Sequence, residues 1–171
     1  SNKKKNISHL FAKYKSNLNL NNFISSKLNI NLQKVTNDTY LKVSDGNLSE
    51  MAVKPDKNNL TSSIDLSLEH DDFNFSTGLT SYEKLSGKNS DRYQFVLPYF
   101  NFSKNLFESQ NLFNISLNST GSNNLKNTNN LRSRIVNDLN IESNDYIFDF
   151  GLKNKFGTYL KNLNTTEKND D

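Results

Sequence analysis

The stretch DRYQFVLPYFNFSKNL, residues 91–106, constrains the fold more than any other part of the chain. Tyr93, Phe95 and Leu97 alternate with Arg92, Gln94 and Val96, the period of two that sends side chains to opposite faces of a half-buried strand. Pro98 then interrupts, and the apolar positions continue at Phe100 and Phe102, with the opposite parity. One extra residue in a strand flips everything after it. Proline, which lacks the ladder N–H, is confined to an edge, a strand start or a bulge. The sequence therefore predicts a bulge at Pro98–Tyr99 that keeps Tyr93, Phe95, Leu97, Phe100 and Phe102 on one face.

Seven further segments carry a related pattern. They run from about Ser8 to Leu20, Ile24 to Val35, Leu60 to His70, and Phe73 to Leu85. The rest are Phe113 to Asn118, Leu131 to Glu142, and Tyr146 to Leu152, the last extending toward Leu160. Leu28, Ile30 and Leu32 stand against Asn29, Asn31 and Gln33, and Ile64, Leu66 and Leu68 against Asp65, Ser67 and Glu69. Asn21-Asn22, Asp71-Asp72 and Asn144-Asp145 read as tight turns. Longer polar connections span 36–59, with Asp45-Gly46 and Pro55-Asp56 as turn signals, 86–90 around Gly87, and 119–130. No helical period competes, so the expected fold is all-β: an antiparallel up-and-down meander of about eight long strands.

Strand length and loop rhythm favour an open fragment of a large transmembrane β-barrel. Segments of about 10 to 13 residues exceed the usual 5 to 6 and match the 9 to 11 that a tilted bilayer crossing needs. Connections alternate short and long, as tight periplasmic turns and longer outer loops do. Tyr14, Tyr82, Tyr93, Tyr146 and Tyr159, near strand ends, are expected to form an interfacial girdle. A soluble carbohydrate-binding β-sandwich is the alternative, and it would have to bury Ile64, Leu66, Leu68, Phe113, Ile115 and Leu117 against a second sheet. A generic porin or adhesin barrel is another.

With 171 residues, a net charge of +3 and no cysteine, the chain offers no disulfide or thiolate site. Its one basic run, Lys3 to Lys5, reads as a solvated loop, and no nucleic-acid partner is expected. Having neither an initial methionine nor a secretory segment, it reads as a piece of one outer-membrane barrel domain spanning 1–171. His9 and His70 read as polar strand residues rather than ligands. Glu69, His70, Asp71 and Asp72 could gather a cation but read as a solvated hairpin tip. Asp38 and Asp45 lack the spacing of a calcium loop. No catalytic constellation, cofactor site or metal site is expected, and the protein is not expected to be an enzyme. Lys34, Asp65, Glu69, Arg92, Arg132 and Arg134 are expected to be lumen or rim charges.

The ordered segments INLQKVTNDTYLKVSDGNLS, LTSSIDLSLEHDDFNFSTGLTSYEKLSG, DRYQFVLPYFNFSKNL and NNLRSRIVNDLN resemble the lipopolysaccharide-assembly family LptD, of α-proteobacterial and marine type. The likeness is to the early part of that family's C-terminal barrel. One family motif, entering an outer loop, is matched by Val35, Thr36, Asn37, Asp38, Thr39, Tyr40 and Leu41; another by Tyr82, Glu83, Arg92, Tyr93 and Pro98. The resemblance implies transport without chemistry in the cell outer membrane. Lipopolysaccharide and outer-membrane lipids would be partners, with an LptE-like plug lipoprotein and, through an N-terminal jellyroll not included in this span, the periplasmic Lpt bridge. The implied role is barrel wall, with neither a complete lateral gate nor the family's disulfides.

Overall fold

Eight long strands form one antiparallel sheet in meander order, with no second layer over either face among the described residues. The computed structural model describes residues 8–43, 56, 58–86, 92–109, 112–127 and 129–169. Strands β1 (His9–Asn17), β2 (Ser25–Val35), β3 (Asn59–Glu69), β4 (Phe73–Lys84), β5 (Tyr93–Glu108), β6 (Phe113–Lys126) and β7 (Asn130–Ser143) follow one another across the sheet. A one-turn helix α1 (Tyr40–Val43) interrupts the loop after β2. β7 is followed by a small hairpin of β8 (Tyr146–Ile147) and β9 (Lys153–Asn154), then by β10 (Gly157–Asn169), which pairs with β7 and completes the sheet. The sheet does not close: β1 and β10 are its two edges. Among the described residues no helix is long and apolar enough to cross a membrane, which has no bearing on strands.

Register sorts the side chains into two faces, because residues opposite each other across a ladder point the same way. On one face Tyr14, Ile30, Ile64 and Leu79 lie in a row across β1 to β4. Leu68, Phe75 and Phe102 form another row across β3 to β5. The other face carries Asn29, Asp65, Gly78, Tyr99, Ser122 and Arg134 in one continuous row. The apolar face is uncovered: Ile64 is 44% exposed and Ile135 43%. The buried hydrophobic cluster is small and sits at one end, where Leu41 of α1 packs with Val35, Leu60 and Leu85.

The bulge exists, one residue earlier than expected. Against β4, Gly78 pairs with Tyr99 but Thr80 with Val96, so Leu97 and Pro98 together oppose Leu79. Against β6, Val96 pairs with Asn124 and Tyr99 with Ser122, and the same two residues oppose Asn123. Phe95 and Phe102 consequently share the apolar face with Phe100. A second shift, at Asn105/Phe107, was not expected; it returns Phe107 to the apolar face opposite Ile115.

Two other segments depart from the expected strands. The polar stretch 119–126 is strand rather than loop, since a central strand has its backbone satisfied from β5 and β7 whatever its side chains. The aromatic run from Tyr146 does not extend β7's hairpin. It folds on itself through a turn in which Gly151 has φ 86° and its N–H bonds to Phe148 O at 2.8 Å. The eighth strand of the sheet is instead the Thr-, Asn- and Lys-rich Gly157–Asn169. Connection lengths thus alternate only through the fifth: β6 ends at Lys126 and β7 begins at Asn130, a short sixth connection, and 144–156 make a long seventh. The end carrying 18–24, 70–72, Ser109, Leu112 and 144–156 is the turn end, and the other the loop end. Asp45, Gly46, Pro55, Gly87 and Lys3 to Lys5 lie outside the described residues.

Candidate functional site

The densest polar constellation is at the loop end, where α1's approach meets the start of β5. Glu83, near the end of β4 and 7% exposed, accepts from Lys34 Nζ at 2.8 Å and from Tyr93 Oη at 2.9 Å, and lies 3.2 Å from Arg92 Nη2. Arg92 also donates two bonds to Asp38, at 2.7 and 3.1 Å, and one from Nε to Lys84 O at 3.0 Å. The Asp38 carboxylate, hydrogen-bonded to the guanidinium, holds Arg92 above its ordinary pKa. A buried carboxylate survives only when paired and hydrogen-bonded, and Glu83 has three donors. Nearby, His9 stacks on Phe11, and its Nδ1 meets Tyr40 Oη. The residues of the two separated motifs, Asp38 in one and Glu83, Arg92 and Tyr93 in the other, are one cluster in space.

The polar face contains a second arrangement, which the sequence reading missed. Tyr99 lies across Gly78 and donates its hydroxyl to Asp65, which also accepts from Ser63 Oγ at 2.9 Å. A Cβ at Gly78 would come within 2.7 Å of Asp65 Oδ1, Ile64 O and Tyr99 Oη alike. On the apolar face Phe100 lies over Gly121, its partner on β6, and leaves no room for a Cβ there. Adjacent residues just past the bulge thus cover a glycine on each neighbouring strand, the aromatic rescue that stabilises glycine within sheets. The available signal was an isolated glycine in each of two strand patterns.

Toward the turn end the polar face hollows into a depression of about 310 Å³, lined by Lys27, Ser67, Glu69, Asn74, Asn101 and Ser103 among others. Hydroxyl and amide groups with charge of both signs in a shallow concavity suit hydrated, polyhydroxylated groups.

Asp65, Glu69, Arg132 and Arg134 lie on the polar face by register, and Lys34 and Arg92 at the loop-end rim. His70 is in the β3–β4 turn rather than a strand; it stacks on Phe73, and its Nδ1 accepts from Asp72 N at 3.1 Å. Among the described residues no group of three or more His, Asp or Glu is placed to hold a metal ion. The tyrosine girdle is not formed as expected. Tyr14 and Tyr93 share the apolar face, but register puts Tyr82 and Tyr159 on the polar face, and Tyr146 belongs to the β8–β9 hairpin. The turn-end band of the apolar face is made by phenylalanines instead: Phe73 against Phe102 at 5.9 Å and Phe107 against Phe113 at 5.1 Å. Tyr93 stacked on Phe95 marks the loop end.

No protein-family description, no curated protein and no solved structure matches this chain.

Proposed function

We propose that the chain is a wall segment of an outer-membrane β-barrel. On the resemblance of its ordered motifs, the barrel is one that assembles lipopolysaccharide into the outer leaflet. The observation that carries the membrane reading is the apolar face, a single uncovered layer bounded by aromatic side chains at both ends. Tyr93 and Phe102 pair with Glu83 and Phe75, eight residues apart along β4. At about 3.4 Å per residue that is about 27 Å of strand, or about 21 Å across the bilayer at a tilt near 40°, close to the roughly 25 Å apolar band of such barrels. Glu83 and Lys34 lie on this face but at its loop-end margin, paired with each other, where interfacial water meets them. The convergence of Asp38 with Glu83, Arg92 and Tyr93 favours the lipopolysaccharide barrel over a generic porin, because it gives two separately placed motifs one structural purpose.

In this reading the wall does no chemistry. Leu, Ile and Phe face acyl chains, while Asn, Ser and Lys line a wet interior that passes sugar and phosphate groups. Photo-crosslinking in the native outer membrane tests it. A photoreactive residue at Asn101 or Asn118, on the polar face, should capture lipopolysaccharide, and one at Leu66 should capture phospholipid or lipid A chains alone. Capture of no lipopolysaccharide from any polar-face position would overturn the assignment.

A further inference from the structure

Charge on the polar face is unevenly matched. Three of its acids have partners: Asp65 with Tyr99 and Ser63, Glu142 with Lys155 and Asn140, and Asp138 with Lys161 at 3.5 Å; Glu69 and Glu108, also on this face, lie away from the loop-end half of β7. Arg132 and Arg134, both exposed on β7, make no ion pair or side-chain hydrogen bond among the described residues. Glu167 is opposite Arg132 on β10, without an ion pair between them. The row of Arg134 holds no acid nearby. Its partner on β6 is Ser122 and its partner on β10 is Thr165, so a guanidinium stands between two hydroxyls across three strands. The row of Arg132 begins at Asn124, whose Nδ2 donates to Ser122 Oγ at 3.2 Å, and Lys126 lies one row nearer the loop end. Asp65, the acid sharing Arg134's row, is four strands away and engaged by Tyr99.

We propose that Arg132 and Arg134, with Ser122 and Thr165, form a binding site for a phosphate-class oxyanion on the polar face near the loop end. Residues two apart on a strand stand about 7 Å apart on one face, a spacing that lets two planar guanidinia grip neighbouring oxygens of a diphosphate or converge on one phosphate. The hydroxyls supply the lateral donors. The site is exposed, so binding is weak and salt-sensitive. It does not depend on the membrane reading, since the same row would bind an oxyanion on a soluble sheet.

Titration calorimetry on the full chain in neutral detergent tests this, with inorganic pyrophosphate and with dihexanoyl phosphatidic acid below its micellar concentration. At low salt pyrophosphate should bind, several-fold weaker after Arg134→Gln and about fivefold weaker per arginine removed. Arg134→Lys should recover only part of the loss, since it keeps the charge and not the fork. Lys13→Gln, on the polar face of β1, should change nothing, and circular dichroism identifies any variant that has lost the sheet. Tighter binding of the lipid phosphate than of pyrophosphate assigns the site to a headgroup, and the reverse order to a free anion; both uphold the oxyanion class. No binding of either probe, or equal losses from Lys13→Gln and Arg134→Gln, would overturn it.

Discussion

Arg92 and Asp38, 54 residues apart, meet through two guanidinium–carboxylate hydrogen bonds of 2.7 and 3.1 Å. The contact pins the segment that leads into α1 onto the residue that precedes β5. Asp38 is about half exposed, so Asp38→Asn should cost only about 0.5 kcal/mol. Glu83→Ala removes the acceptor that Lys34, Arg92 and Tyr93 share, and should cost about 3 kcal/mol. Urea unfolding in detergent reads both, and equal effects would mean that Glu83 does not organise the rim.

The glycine pairings invite a sharper substitution. Gly121→Ala drives its Cβ into the Phe100 ring and should destabilise by about 1–3 kcal/mol. Adding Phe100→Leu should return part of that loss, because the smaller side chain vacates the space. At Gly78 a backbone carbonyl, Ile64 O, also stands in the way, so Gly78→Ala should respond far less to shortening Tyr99. A double-mutant cycle at each site measures the difference.

Pro98 separates chemistry from count. Pro98→Ala keeps the extra residue, so Phe100 and Phe102 stay on the apolar face and assembly in lipid should persist. Deleting Pro98 alone leaves Leu97 opposite Leu79 in a regular ladder with both phenylalanines still on the apolar face, whereas deleting Leu97 and Pro98 together would turn them toward the polar face. The double deletion should fail to assemble and the single deletion should assemble, judged by the protease-resistant, heat-modifiable form in membranes; normal assembly of the double deletion would mean that the face taken by Phe100 and Phe102 does not govern assembly.

One pH effect follows from the loop before β3. Asp56 accepts from the backbone N–H of Asn58 at 2.8 Å and from the Asn59 amide, which lowers its pKa below the ordinary 3.8. A depressed carboxyl contributes order above its unfolded pKa and loses it as pH falls through the folded value. Protection of the Asn58 amide, measured against its intrinsic exchange rate, should therefore fall below about pH 4, and Asp56→Asn should flatten that response.

Much of the fold was legible because its two faces differ in polarity residue by residue. Leu28-Ile30-Leu32 and Ile64-Leu66-Leu68 announce strands that the register then pairs. The parity change at Pro98 was readable because phenylalanines flank it. Where both faces are polar the period vanishes, and Gly157–Asn169 could not be distinguished from loop; what makes it a strand is the ladder supplied by β7. The Tyr146–Phe156 run misled in the opposite sense, with alternation but a turn at Gly151 too tight for a sheet-long strand. Of the rim cluster, each residue was visible and their meeting was not, since nothing local links Asp38 to Arg92. Tyr99 over Gly78 was missed because it is a cross-strand relation, which exists only once the register is known.

The orientation of the two faces tests the proposal of a barrel wall most directly, and the absence of native cysteine makes it accessible. Single cysteines at Leu66, Leu79 and Ile115 on one face, and at Asn29, Ser63 and Asn118 on the other, can be challenged with a membrane-impermeant, water-soluble maleimide in native membranes. A barrel wall requires the second set to react and the first to resist until detergent is added. Equal labelling of both sets, or a chain that is monomeric and cooperatively folded without lipid or detergent, would contradict it.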